Sequence, residues 1–402
     1  MMDSWRVYRY RWVVLVAYMI IAAMTQLFWL NFAAIETHIE ERLSISASAA
    51  MWLTLVFPLI QVLLTMPAGL IIDRKGFKYG ISIGAILTGV FAIVRLVNPE
   101  SFTVLLISQI GIAAGQPFVL NGVTKLVMTW FPEKEEATAV GLGSLALLVG
   151  MMVGLGVTPS LVQNLGYPAM LWIYSIIGLI GALLFVILAR PRPKTPPREI
   201  ESREEVSGLD GIRIILRNRN FIYLGFIALI GIGVFNGLAT WLEKILNEMH
   251  HIPMIEAGTI SGIMIFAGML GCVAIPMISD RLMKRKPFLI LASAVGIICT
   301  IIIMLVSNYW LNMVTGIMLG FFFISALPIM LILSTEITGV KFAGISVGYL
   351  QLMGNAAAVV IIIIMESLRG ATGQFTLSLA LLAVLLVVSL AMSIIIKEPT
   401  KK

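Results

Sequence analysis

The sequence predicts an all-α membrane protein of twelve transmembrane helices arranged as two six-helix bundles. Hydrophobic residue types make up 59% of the 402 residues and charged types only 12%, and the mean hydropathy is +1.00. A water-soluble chain could not cover that much apolar surface with polar groups. Apolar runs near the ~20 residues needed to cross a bilayer recur along the whole chain, so nearly every residue belongs to a span or a short connector.

The apolar runs place the twelve helices in order along the chain. Six lie on each side of residues 190–219, a stretch with four prolines and many charges that cannot enter hydrocarbon. We therefore expect a first bundle over residues 1–189, a cytoplasmic linker over 190–219 and a second bundle over 220–402. The predicted helices span about residues 11–35, 47–72, 77–97, 102–128, 136–162, 167–189, 220–246, 254–279, 286–306, 310–335, 341–366 and 374–396.

Lysine and arginine are distributed unevenly between the two sides of the predicted membrane. Of the 28 Lys and Arg residues, only Arg42, Arg95, Lys244 and Arg369 fall on the side opposite the two termini. The positive-inside rule therefore predicts cytoplasmic termini, in a multi-pass protein that we expect in the plasma membrane. The same topology explains the net charge of +7, so we expect no nucleic-acid partner.

A charged motif follows the second helix of each half. The first copy, from Gly69 to Lys78, reads Gly-Leu-Ile-Ile-Asp-Arg-Lys-Gly-Phe-Lys, and the second begins with Asp280-Arg281. The first copy resembles the loop signature of the major facilitator superfamily, a family of two-bundle secondary transporters. In that role a small residue at the first position would let helices approach closely, and the aspartate would face a positive helix end. The resemblance implies a gate that includes Gly69, Asp73, Arg74, Gly76, Lys78, Asp280 and Arg281.

Two further ionisable residues lie near helix ends on the same side. Lys125, at the end of helix 4, could reach the lipid headgroups or pair with the acidic residues of positions 133–136. Glu336 lies at the corresponding end of helix 10. We assign both residues to the gate rather than to the substrate.

Short strings in helices 1, 4 and 11 carry a closer resemblance. Residues 28–31 read Phe-Trp-Leu-Asn, residues 114–118 read Ala-Gly-Gln-Pro-Phe, and helix 11 contains Gln351. These strings are similar to those of the feline leukaemia virus subgroup C receptor-related branch of the superfamily. Members of that branch carry choline, ethanolamine or related small amines, and haem has also been associated with it. The resemblance implies that Trp29, Gln116 and Gln351 line a substrate pocket.

Uncharged polar side chains within the spans point independently to a pocket. Such groups are costly in hydrocarbon, so they face the bundle interior and bond either another helix or a substrate. An aromatic face at Trp29 would add a cation–π contact of ~0.5–2 kcal/mol with a cationic solute. The candidate substrate-binding residues are Gln26, Trp29, Asn31, Gln116, Asn121, Asn236, Thr240, Gln351 and Asn355.

The sequence also bears on the source of energy. Carboxylates such as Glu36, Glu243 and Glu366 fall near predicted helix ends, so no proton relay at membrane depth is apparent and we expect uniport. A glycine loop of the phosphate-binding type is missing from the sequence, which excludes ATP as the driver. We find no catalytic or metal-binding constellation and expect no cofactor.

These observations predict a secondary transporter rather than an enzyme. We expect a monomeric carrier that moves a choline- or ethanolamine-like amine by alternating access through a central cavity. An organic anion, a monocarboxylate or a haem-like solute remain alternatives, as does a non-transporting receptor or scaffold on the same fold. The sequence shows no central buried Arg or Lys, and this favours the amine over the anion.

Overall fold

The computed structural model describes residues 8–195, 208–339 and 342–398. Twelve helices in this part of the chain are long and apolar enough to cross a membrane, which confirms the predicted fold class. Residues 196–207 of the predicted linker lie outside the described residues. The membrane-spanning helices are α1 (Tyr10–Leu30), α2 (Ala47–Lys75), α3 (Phe77–Val94), α4 (Phe102–Trp130), α5 (Lys134–Leu165), α6 (Tyr167–Leu188), α7 (Arg219–His250), α8 (Met254–Leu282), α9 (Lys286–Leu305), α10 (Tyr309–Thr338), α11 (Gly344–Thr372) and α12 (Thr376–Ile395).

The end of α1 differs from the prediction. The helix stops at Leu30 rather than at residue 35, and a 3₁₀ turn (Ala33–Ile35) leads into a short helix (Glu36–Leu43). Residues 32–35 are as apolar as the helix before them, so composition alone could not locate this break. Asn31 consequently caps the helix, where its backbone N–H bonds the carbonyl of Leu27.

The chain divides into two compact units, Met1–Ser202 and Arg203–Lys402. In the first unit α1 packs against α5, α2 against α4, and α3 against both α4 and α6. Glycines permit the closest of these contacts. A Cβ added at Gly115 would lie 2.6 Å from the carbonyl oxygen of Gly84 on α3, and one added at Gly154 would lie 3.1 Å from the carbonyl oxygen of Leu27 on α1.

The second unit repeats the same pairings one half later in the chain. Helix α7 packs against α11, α8 against α10, and α9 against α12. Backbones again meet where α8 carries Gly271, because an added Cβ would collide with the carbonyl of Phe321 on α10. Helix α10 is π-helical over Leu319–Ile324, and the Cys272 thiol lies 3.8 Å from the Ile324 carbonyl that Pro328 leaves without its helical partner.

Candidate functional site

The last turns of α1 hold three of the candidate substrate-binding residues. Gln26, Trp29 and Asn31 are all buried. Neither the Trp29 indole N–H nor either polar atom of the Asn31 amide has a hydrogen-bond partner among the described residues. Buried polar atoms are normally satisfied, so these groups are available to a ligand or to water.

The glutamines of α4 and α11 also keep their side-chain amides unbonded. Gln116 is buried and Gln351 is half-buried. Within the described ranges neither side chain makes a hydrogen bond to protein. An amide offers two acceptor sites and two donor hydrogens, so each glutamine can accept from an ammonium or hydroxyl group, or donate to an acceptor, on a solute.

The candidate asparagines are used differently. The Asn121 amide donates to the carbonyl of Thr65 on α2 at 3.0 Å, which joins two helices. Asn236 donates to Ile232 at 2.8 Å and Asn355 to Gln351 at 2.9 Å, each within its own helix. These bonds are the ordinary packing use of an amide, so the asparagine donors are less available to a substrate than those of the glutamines.

Helix α7 presents a polar stripe towards its carboxyl end. Asn236, Thr240 and Glu243 are buried and follow one another at helical spacing on one face. The Asn236 amide oxygen and the Thr240 hydroxyl have no partner in the described part of the chain. The sequence placed Glu243, Glu36 and Glu366 among the charges at helix ends, and the structure buries all three, at 2%, 3% and 7% exposure.

Gln109, which the sequence analysis did not select, holds two helices together beside Trp29. Its amide nitrogen donates to the carbonyl of Phe28 on α1 at 3.0 Å and to that of Leu53 on α2 at 2.9 Å. The residue is completely buried. It precedes Gln116 by seven positions, which is two helical turns, so a periodic search of α4 for amides would have found it.

Asp73 of the first gate motif forms an ion pair with Lys125, for which the sequence suggested other partners. The Lys125 ammonium contacts the Asp73 carboxylate at 3.2 Å and the Asp73 carbonyl at 3.0 Å. Of the acidic residues close to Lys125 in sequence, Glu135 instead pairs with Arg11 at 3.0 Å. Lys125 is therefore the partner of the motif aspartate and joins the α2–α3 loop to α4.

The remaining residues of the first motif separate into two groups. Gly76 has φ +88°, a left-handed conformation that favours glycine, and it ends α2 and begins α3. Arg74 is exposed and Lys78 half-exposed. Gly69 does not support a close helix contact as predicted, since a Cβ added there would have nothing within 4 Å.

The second motif is organised around Arg285, which the sequence analysis did not select. Its guanidinium contacts the Asp280 carboxylate at 2.6 Å, the Glu336 carboxylate of α10 at 3.2 Å and the Ser279 hydroxyl at 2.9 Å. Burial alone lowers the pKa of Arg285, but the hydrogen bonds to Asp280 and Glu336 outweigh burial and raise it. Met283 turns the loop back with φ 53°, and Arg281, which the sequence assigned to the gate, is exposed.

Each motif forms an ion pair with another helix of its own unit, but the signs are reversed. The first motif supplies the anion and α4 the cation, whereas the second supplies the cation and α10 the anion. The α2–α3 loop binds α4 through Asp73 and Lys125, and the α8–α9 loop binds α10 through Arg285 and Glu336. Each contact lies within a single unit of the chain. Internal duplication of this kind is typical of two-bundle transporters.

Two basic residues that the sequence placed among the charges at helix ends are buried. Arg95, counted as a loop charge from the sequence, is 0% exposed at the carboxyl end of α3, and Lys244 on α7 is 1% exposed. Both follow apolar segments that end close to them in sequence. The charge count placed Arg95 and Lys244 in solvent because the sequence does not show which neighbouring helices cover a helix end.

Twelve spans in two like units, with paired loop motifs and unbonded amides at membrane depth, define a secondary transporter rather than an enzyme. The profile of the Major Facilitator Superfamily matches residues 14–362, and the chain belongs to that family.

The curated relatives extend the resemblance predicted from helices 1, 4 and 11. The choline/ethanolamine transporter flvcr2a of Danio rerio is 25% identical over 100% of this chain and 89% of its own length. The choline/ethanolamine transporter FLVCR2 of Homo sapiens is 25% identical over 88% of this chain and 71% of its own. The fold is similar to that of a bacterial homologue of the human lysosomal transporter Spinster, with a TM-score of 0.74, 18% identity and 97% coverage of both chains.

Proposed function

We propose that this protein is an ATP-independent carrier of a small cationic amine of the choline or ethanolamine class, working by alternating access through a central cavity. The observation that carries the proposal is the set of unbonded polar groups at Trp29, Gln116 and Gln351. Relatives at 25% identity named as choline/ethanolamine transporters support the substrate class. In this proposal the three residues act on one substrate.

The chemistry of these side chains suits such a solute. A quaternary ammonium cannot donate a hydrogen bond, so it is held by an aromatic face, and Trp29 would contribute ~0.5–2 kcal/mol. A hydroxyl group, which choline and ethanolamine share, would bond one of the glutamine amides. The primary ammonium of ethanolamine would bond the amide oxygens directly, which explains how one pocket can accept both amines.

The two loop contacts supply the gating part of the proposal. Asp73 with Lys125, and Arg285 with Asp280 and Glu336, fix each charged motif to a helix of its own unit. We propose that these contacts change as the carrier moves between states. The positive-inside distribution supports cytoplasmic termini, and the proposal places a monomeric carrier in the plasma membrane, working as a uniporter.

The experiment is ligand-dependent thermal stabilisation of the purified protein. A ligand that binds only the native state raises its stability by mass action, so choline and ethanolamine should raise Tm, whereas monocarboxylates and haem should not. Trp29→Ala and Gln351→Ala should abolish the shift. Asn355→Ala is the matched control, because Asn355 lies one turn from Gln351 and already bonds its own helix at 2.9 Å.

The outcomes separate the alternatives. A shift with carboxylates alone would replace the amine by an organic anion, and a shift with haem alone would replace it by a tetrapyrrole. An amine shift that survives both Trp29→Ala and Gln351→Ala would contradict the site assignment. Equal loss in Asn355→Ala would show that the effect is not specific to the Gln351 amide.

A further inference from the structure

Arg95 is a completely buried cation for which the first bundle supplies no anion. It follows α3 and is 0% exposed. In the described part of the chain no carboxylate lies within ion-pair distance of its guanidinium, and Nη1 and Nη2 have no hydrogen-bond partner. Arginine stays protonated in proteins, and a buried charge is costly unless it is paired.

Two contacts hold the Arg95 guanidinium in one orientation, and its terminal nitrogens Nη1 and Nη2 lie outside both contacts. Nε donates to the Ser175 hydroxyl of α6 at 3.0 Å, and the guanidinium carbon lies 4.4 Å from the centre of the Phe28 ring of α1. Because Nε is hydrogen-bonded and one face of the guanidinium is covered by a ring, Nη1 and Nη2 remain as a fork of two planar donor groups side by side. Such a fork binds an anion through two donors at once.

The ionisable groups around the fork do not neutralise it. The groups that interact electrostatically with Arg95 are Tyr167 and Tyr174 of α6, and tyrosine is uncharged at neutral pH. Their hydroxyls already have partners, since Tyr167 bonds the Pro99 carbonyl at 3.1 Å and Tyr174 bonds Thr158 at 2.9 Å. The carboxylate nearest in sequence, Glu100, is held by Arg42 at 2.7 Å.

We propose that Arg95 binds a monovalent inorganic anion of chloride size inside the first bundle, between α1, α3 and α6. The complete burial of Arg95 among packed helices favours a small ion over an organic solute. Water could satisfy the N–H groups of the two free terminal nitrogens but would leave the positive charge uncompensated. Because the Arg95 guanidinium packs on Phe28, the residue before Trp29, the bound anion stabilises the end of α1 that carries the candidate substrate residues.

The test is chloride-specific stabilisation of the purified full-length protein. Sodium chloride replaces sodium gluconate at constant ionic strength while Tm is followed, and equilibrium binding of ³⁶Cl⁻ is measured in parallel. The wild type should show a saturable rise in Tm and bind one ³⁶Cl⁻ that bromide displaces and gluconate does not. Arg95→Gln should lose both effects, and Arg192→Gln, which removes an exposed arginine of the same unit, should keep both.

A second variant covers the case in which Arg95→Gln fails to fold. Ser175→Ala keeps the guanidinium but removes the acceptor of Nε, so it should raise the chloride midpoint roughly 3- to 10-fold, the effect of one hydrogen bond. No ³⁶Cl⁻ binding and no chloride-specific shift in the wild type would overturn the proposal in favour of bound water. Retention of binding in Arg95→Gln, equal loss in Arg192→Gln, or an unchanged midpoint in Ser175→Ala would also overturn it.

Discussion

Replacing Gly115 by alanine tests whether the α3–α4 contact fixes the helix that carries Gln116. The added Cβ would lie 2.6 Å from the carbonyl oxygen of Gly84 and 3.0 Å from the Thr88 hydroxyl. Carbon–oxygen contacts between packed backbones lie at ~3.3–3.6 Å, so the two helices must separate by roughly 0.7–1.0 Å. Overpacking of this size costs about 1–3 kcal/mol, which the higher helix propensity of alanine offsets by ~0.5–1 kcal/mol.

The net expectation is a loss of up to about 2.5 kcal/mol, or a decrease in Tm of up to roughly 10 °C for a unit of this size. Thermal unfolding of the detergent-purified protein measures it. Gly348→Ala on α11 is the matched control, because a Cβ there meets nothing within 4 Å and the change should be neutral or slightly stabilising. If Gly115→Ala were as stable as Gly348→Ala, the reasoning from the α3–α4 contact would be refuted.

Three further predictions concern other parts of the molecule. Arg285→Gln removes the ion pairs with Asp280 and with the half-buried Glu336 and should destabilise the protein by about 1–3 kcal/mol, whereas exposed Arg281→Gln should stay within about 0.5 kcal/mol by the same thermal assay. Gln109→Ala removes two interhelical hydrogen bonds and should lower the free energy of unfolding by about 1–3 kcal/mol. The exposed Gln163→Ala should cause no measurable change. Equal Tm values for the two variants would contradict a stabilising role of the Gln109 hydrogen bonds. Uniport predicts that amine uptake into proteoliposomes carries no proton current, and a current that scales with substrate would refute it.

The sequence was sufficient for the architecture because hydropathy reports directly on burial in lipid. Every predicted span corresponds to a helix, and the errors lie at helix ends. The end of α1 was placed five residues too late, because Phe32 to Ile35 are apolar although the helix has already ended.

The polar contacts were predicted less well, because they depend on which helices are neighbours. Lys125 was expected to reach the lipid headgroups or to pair with the acidic residues close to it in sequence, whereas its partner Asp73 lies 52 positions away. Arg285 was not predicted as a gate residue. It reaches Asp280 and Glu336 because Met283, with a left-handed backbone, turns the loop back on itself, and this turn is not evident from the sequence. Arg95 was counted with the solvent-exposed charges, although packing of α1 and α6 covers it.

The central claim is tested most directly by uptake of radiolabelled choline into proteoliposomes containing the purified protein. The account predicts saturable uptake that needs no ATP, is competed by ethanolamine, and falls at least tenfold in Trp29→Ala and Gln351→Ala but not in Asn355→Ala. A tenfold loss corresponds to about 1.4 kcal/mol, which lies within the range of one cation–π contact. Uptake indistinguishable from protein-free liposomes, in preparations whose Tm shows a folded protein, would contradict the proposal that this carrier moves choline-like amines.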